Sequence, residues 1–138
     1  MIETDKGTIV AIASQAAYTP SPSLASYAST KAFLLHFYKA ANHELKQQKK
    51  QVRLIAVCPP AMRTGFAQEA NMQGHKIFNS WLTVPVEVVA KRIVKAIEKE
   101  KQGYIPSWKI RITTHLLDRL LPNKWKIPIT GYFLKSGH

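Results

Sequence analysis

Tyr27 and Lys31 stand four residues apart in a run of apolar spacing, and on a helix one turn brings both side chains onto a single face. A phenol beside an ammonium is a proton-transfer pair. Free tyrosine has a pKa near 10, too high for easy proton exchange at neutral pH, and a cation within about 4–6 Å favours its ionised form. Ser14 stands upstream, at the end of the apolar run Gly7-Thr8-Ile9-Val10-Ala11-Ile12-Ala13. Its hydroxyl is suited to hold the oxygen on which Tyr27 acts, through a hydrogen bond that strengthens as charge develops there. The three residues point to general acid–base chemistry at a substrate oxygen.

Such a trio works only if a strand end and a helix start are brought together. Residues 7–14 are short, continuously apolar and rich in β-branched side chains, bounded by Asp5-Lys6-Gly7 and a Pro/Ser loop, which predicts a buried strand of a parallel sheet. Pro20 and Pro22 keep the loop of residues 15–24 extended. With Ser26 as N-cap, a helix is predicted from there to Gln47, its apolar faces supplied by Ala32, Leu34, Leu35, Phe37, Tyr38, Ala41 and Leu45 and its end by basic residues. VRLIAVC, residues 52–58, predicts a second buried strand stopped by Pro59 and Pro60. Strand, helix and strand imply a right-handed parallel crossover, and ligands in such sheets sit beyond the carboxyl ends of the strands. Ser14 and Pro59 both fall there.

With Ser14 upstream and Tyr27-Ala28-Ser29-Thr30-Lys31 opening the helix, the sequence resembles the short-chain dehydrogenase/reductase family from residue 7 to about residue 106, over the second half of that family's domain. The resemblance implies an α/β fold: a Rossmann-like parallel sheet, the C-terminal half of a doubly wound NAD(P)-binding domain. It implies interconversion of a carbonyl and an alcohol with NADP or NAD as cofactor. Tyr27 would be the acid/base, Ser14 the residue that orients the carbonyl, and Lys31 the group that favours the phenolate and binds the nicotinamide ribose. After the second strand the family carries Pro-Gly and then a Thr near the nicotinamide. Pro59 and Thr64 match these, while Pro60 replaces the glycine, removing a backbone N–H and fixing φ. The implied cofactor-binding residues are thus Tyr27, Lys31, Pro59 and Thr64.

The family's glycine-rich turn, which receives a pyrophosphate at a helix N-terminus, has no counterpart. The six glycines, Gly7, Gly65, Gly74, Gly103, Gly131 and Gly137, are scattered. The residue that selects NAD or NADP and the family's catalytic Asn also lack counterparts. The expectation is one incomplete Rossmann-like domain over residues 1–138, the carboxyl-terminal portion of a longer reductase and inactive alone. The edge of its first strand would be covered by self-association or by the missing N-terminal half.

The composition, 46% hydrophobic and 20% charged, excludes disorder. A single cysteine, Cys58, excludes an internal disulfide and a multi-cysteine zinc site, and fits a reducing compartment with the cytoplasm as default. The five histidines show no metal-ligand spacing, no apolar run is long enough to span a membrane, and the first ten residues lack a signal pattern. No metal is expected. Ser14 lacks the Gly-x-Ser-x-Gly elbow of a hydrolase.

Residues 61–82 are less regular and carry Met62, Phe66, Met72, Ile77, Phe78 and Trp81. By the resemblance they cover the substrate, which implies a small hydrophobic carbonyl or alcohol. Pro85 opens a helix with Val86, Val89, Ala90, Ile93 and Ile97 at helical spacing, and Tyr104-Ile105 suggests a short last strand. From Trp108 the tail, about residues 108–138, is basic and amphipathic, broken by Pro122 and Pro128. The net charge of +12 gathers in this tail and in two helices. Two readings of the tail stand: a lid packed over the pocket, or a surface resting on anionic membrane with its leucines dipped in, making the protein peripherally membrane-bound. The other functional class is a non-catalytic basic fragment acting as an interaction or nucleic-acid-binding module. On the reductase reading no nucleic acid partner is expected.

Overall fold

The computed structural model describes residue 1 and residues 4–62, 64–69, 74–80 and 83–135. The two β-branched runs form parallel strands, β1 (Gly7–Ile12) and β2 (Val52–Val57), in register from Gly7 against Val52 to Ile12 against Val57. A 3₁₀ turn at Gln15–Tyr18 and the long helix α1 (Ala25–Gln47) make the crossover between them. Among the described residues four helices follow: α2 (Phe66–Glu69), α3 (Val86–Glu98), α4 (Trp108–Leu120) and α5 (Asn123–Phe133), with a second 3₁₀ turn at Lys76–Asn79. Met72, Trp81 and His138 lie outside the described residues, as does the side chain of Phe66.

The two strands differ sharply in burial. Ile55, Ala56, Val57 and Cys58 are fully buried, because both edges of β2 are paired. On the side away from β1, the Gly103 N–H donates to the Ala56 carbonyl at 2.8 Å and the Cys58 N–H to the Tyr104 carbonyl at 2.9 Å. The Gln102 side-chain amide completes this edge, accepting from the Ala56 N–H at 3.2 Å and donating to the Leu54 carbonyl. The expected last strand is thus a single parallel bridge, Val57 to Tyr104. In β1 only Ala11 is buried, while Ile9 and Ile12 are 42% and 52% exposed. The expectation of a fully buried first strand is corrected here. Among the described residues β1 pairs with β2 alone, and α1 packs mainly over β2, so the apolar run has no cover for its remaining edge and much of its faces.

Helix α1 is capped two residues earlier than Ser26 suggests. Leu24 is the N-cap, its carbonyl accepting the Ala28 N–H at 2.8 Å, and Ser26 lies inside the first turn without a capping role. Leu35 and Ala28 face the core, but Phe37 turns outward and stacks on Phe33 at 5.7 Å. The helix closes as Lys49 takes φ 57° and the Lys50 N–H returns to the Leu45 carbonyl at 2.9 Å, the left-handed termination that orphan carbonyls favour. In the tail Pro122 does separate α4 from α5, whereas Pro128 sits inside α5. Its fixed φ suits a helix, but it has no N–H to donate to the carbonyl four residues back, that of exposed Lys124.

Among the described glycines, Gly103 is the most tightly enclosed. It has φ +61°, and a Cβ there would collide with the Tyr18 phenol oxygen, whose hydroxyl donates to the Gly103 carbonyl at 2.6 Å. Gly103→Ala is therefore expected to lower unfolding free energy by about 2 kcal/mol or more, combining left-handed strain with the displaced Tyr18. Urea denaturation of the two proteins measures it.

Candidate active site

Ser14 sits at the carboxyl end of β1 in extended conformation, φ −160° and ψ 158°, and caps the 3₁₀ turn, its Oγ accepting the Ala16 N–H at 3.2 Å. Two backbone bonds bracket it: the Ala13 N–H donates to the Val57 carbonyl at 2.8 Å and the Gln15 N–H to the Pro59 carbonyl at 2.9 Å. The parallel ladder thus continues past the strand ends and fixes Ser14 beside Pro59. Lys31 is tied to the same strand, its Nζ donating to the Ile12 carbonyl at 2.9 Å. That ammonium lies 5.6 Å from the centre of the Tyr27 ring, the one-turn spacing of the two residues on α1 now seen as contact.

Ser14, Tyr27, Lys31, Pro59 and Thr64 all line one cavity of about 500 Å³. Its walls are mostly apolar: Ile12, Leu24, Met62, Ile77 and Phe78 from the body of the fold, Leu117 from α4, and Ile129, Phe133 and Leu134 from α5. The inner faces of both tail helices therefore wall the site, with Ile110 and Thr114 of α4 fully covered. A small set of polar groups converging in an apolar cavity is the usual form of a small-molecule site.

The sequence reading missed the contact that joins tail to site. Gln15, next to Ser14, donates through Nε2 to the Thr114 hydroxyl at 2.9 Å. The available signal was the pair Thr113-Thr114 on the same face of α4 as Ile110 and Leu117, polar residues at apolar positions. Among the described residues no cluster of His, Cys, Asp and Glu is placed to hold a metal ion.

Behind Ser14, half-buried Tyr18 neighbours the buried Cys58 thiol. Burial first, then the neighbouring thiol, pushes the Tyr18 phenol well above its ordinary value. Burial likewise pushes the Cys58 thiol up to about 11, against the opposing effects of the Tyr18 hydrogen bond, Lys39 and the Ser14 backbone. Neither group is poised for proton transfer near neutral pH, and their role is to hold the turn after Ser14 against residue 103.

The family model for short chain dehydrogenases matches residues 1–74. The chain belongs to the short-chain dehydrogenase family. The mouse protein named estradiol 17-beta-dehydrogenase 11 is 31% identical over 127 residues, 91% of this short-chain dehydrogenase chain and 40% of the mouse protein. The human inactive hydroxysteroid dehydrogenase-like protein 1 is 32% identical over 106 residues, covering 75% and 31%. Among solved structures, a short-chain dehydrogenase from Sphingobium yanoikuyae in complex with NADPH superposes with a TM-score of 0.68 at 23% identity, over 85% of this chain and 44% of that one. The likeness bears out the Rossmann-like α/β fold. This short-chain dehydrogenase chain spans about two-fifths of the length of the estradiol 17-beta-dehydrogenase 11 relatives and about a third of that of the hydroxysteroid dehydrogenase-like protein.

The raised Cys58 and Tyr18 values carry a pH dependence of stability. Between the ordinary cysteine value of 9.0 and about 11, the unfolded chain has released a proton that folded Cys58 retains, so stability falls as pH rises through that window. Tyr18 extends the loss above 10.0. Thermal melts are expected to be level below about pH 8 and to drop above about pH 9, and Cys58→Ala is expected to delay the onset toward the tyrosine range. An onset unchanged in the variant would contradict the assignment.

Proposed function

We propose that this chain carries the proton-transfer half of an NAD(P)-dependent oxidoreductase that interconverts a carbonyl and an alcohol on a hydrophobic small molecule. The observation that carries the reading is the gathering of Ser14, Tyr27 and Lys31 around one apolar cavity in a chain of the short-chain dehydrogenase family. Ser14 donates to the substrate oxygen and orients it. Tyr27 gives that oxygen a proton in reduction and removes one in oxidation. Lys31, anchored by the Ile12 carbonyl, keeps positive charge beside the phenol ring, so the negative charge left when the proton moves is met by a preorganised cation.

The residues present fit the nicotinamide and ribose end of the cofactor. Tyr27, Lys31, Pro59 and Thr64 share the cavity wall, and a solved relative of this fold holds NADPH, others NADP or NAD. Bound there, the nicotinamide supplies or accepts the hydride. Pro60 offers no backbone N–H to it, and the sequence contains no glycine-rich turn for the pyrophosphate, so weak cofactor affinity is expected of this chain alone. The name of the mouse relative makes estradiol a rational first substrate, and the apolar lining of the cavity suits it.

Estradiol oxidation is measured with millimolar NAD⁺ or NADP⁺ through the absorbance of the reduced nicotinamide. Whatever turnover the chain sustains without a glycine-rich turn is expected to fall about 10²–10⁴-fold in Tyr27→Phe and about 10²–10³-fold in Ser14→Ala, with far-UV circular dichroism unchanged. Turnover that survives Tyr27→Phe at the original rate would overturn the assignment.

A further inference from the structure

The inner faces of α4 and α5 wall the cavity, but among the described residues nothing covers the outer face of α4. Trp108, Ile112, Leu116 and Leu120 recur every four residues along it, a stripe that drifts only about 40° per step. All four are exposed, Trp108 by 59% and Leu120 by 68%. Lys109 and Arg119 project from the same arc of the helix, also exposed, and Lys124 and exposed Trp125 continue the pattern past the Pro122 corner. We propose that this face docks the chain on an anionic membrane surface, with α4 lying in the plane of the interface.

Charge selects that occupant. Within residues 108–135 the sole acidic residue is Asp118, and it is engaged by the buried Lys126 ammonium at 3.0 Å. The other cations of the segment are left without an acidic partner inside it. Large apolar side chains interleaved with cations whose long stems can reach outward are the composition of an interfacial helix, and tryptophan favours the headgroup boundary. A symmetric contact with a second copy through this face would bring the Lys109 and Arg119 cations of one copy against those of the other, an unfavourable meeting of like charges. A phosphate backbone would satisfy the cations but leave the leucine stripe in water. No described helix is long and apolar enough to cross a bilayer, so the contact is peripheral. The inference stands independently of the proposed catalysis. Docking would also bring the far side of the cavity-lining helices to a surface where apolar molecules accumulate.

The test is co-sedimentation of the purified chain with vesicles of phosphatidylcholine alone or mixed with phosphatidylserine at low salt, with tryptophan emission recorded in parallel. Binding to the mixed vesicles only, with a blue shift, is expected. Leu116→Asp with Leu120→Asp, and separately Lys109→Glu with Arg119→Glu, are each expected to weaken partitioning at least about tenfold. None of these four residues lines the cavity, and their exposure predicts unchanged thermal melts, which are checked first. No binding by the folded chain, or binding that both pairs leave intact, overturns the proposal. So does a dimer in sedimentation that Leu116→Asp with Leu120→Asp abolishes, or equal competition for the vesicles by duplex DNA.

Discussion

The parallel pairing of β1 with β2 is the constraint from which the geometry of the site follows. The register that opposes Ile12 to Val57 brings both strand ends to the same level. The bonds from Ala13 to Val57 and from Gln15 to Pro59 carry the pairing two residues farther. Ser14, held between them, has little freedom to turn away. The crossover helix then needs only its first two turns to present Tyr27 and Lys31, and the Lys31 bond to the Ile12 carbonyl closes the arrangement on the strand where it began. A one-residue slip in this pairing would reverse the faces of every side chain in β1 and pull Ser14 out of the cavity wall.

A second layer of support runs behind the site. Residues 102–104 finish the outer edge of β2, and Tyr18 reaches from the turn after Ser14 to the Gly103 carbonyl. The same turn is held from the tail through Gln15 and Thr114. Three separate stretches of chain therefore meet around one turn of four residues, and the proposed chemistry draws on their rigidity. The tail serves this assembly with its inner faces, which leaves the outer face of α4 available for a surface contact. The two sequence readings of the tail, lid and membrane rest, thus concern opposite sides of one helix and do not compete.

The central elements were legible because they rest on local chemistry. β-branched runs ended by prolines give strands, the Tyr27 to Lys31 spacing needs only a helix, and the placement of Ser14 follows from the βαβ order. What escaped depended on neighbours. The apolar run of β1 reads as buried, yet Ile9 and Ile12 are exposed because burial is set by the strands and helices alongside. Ser26 has the right chemistry for a cap, but the positive φ of Ser23 and the geometry of Leu24 start the helix earlier. Phe37 fits the apolar pattern of α1, yet it is exposed and stacks on Phe33 of its own helix. The Gln15 to Thr114 bond joins residues far apart in sequence, so no local signal could pair them.

The central claim is that one apolar cavity, bounded by Ser14, Tyr27 and Lys31 on one side and by the tail helices on the other, is the binding site for a hydrophobic small molecule. Methyl-resolved NMR of the chain titrated with estradiol tests this without requiring turnover. The account predicts saturable shifts concentrated on Ile77, Leu117 and Ile129, which line the cavity, with Tyr27→Phe leaving that pattern in place. Shifts confined to Leu116 and Leu120 on the outer face of α4, or no shifts at all, would contradict it.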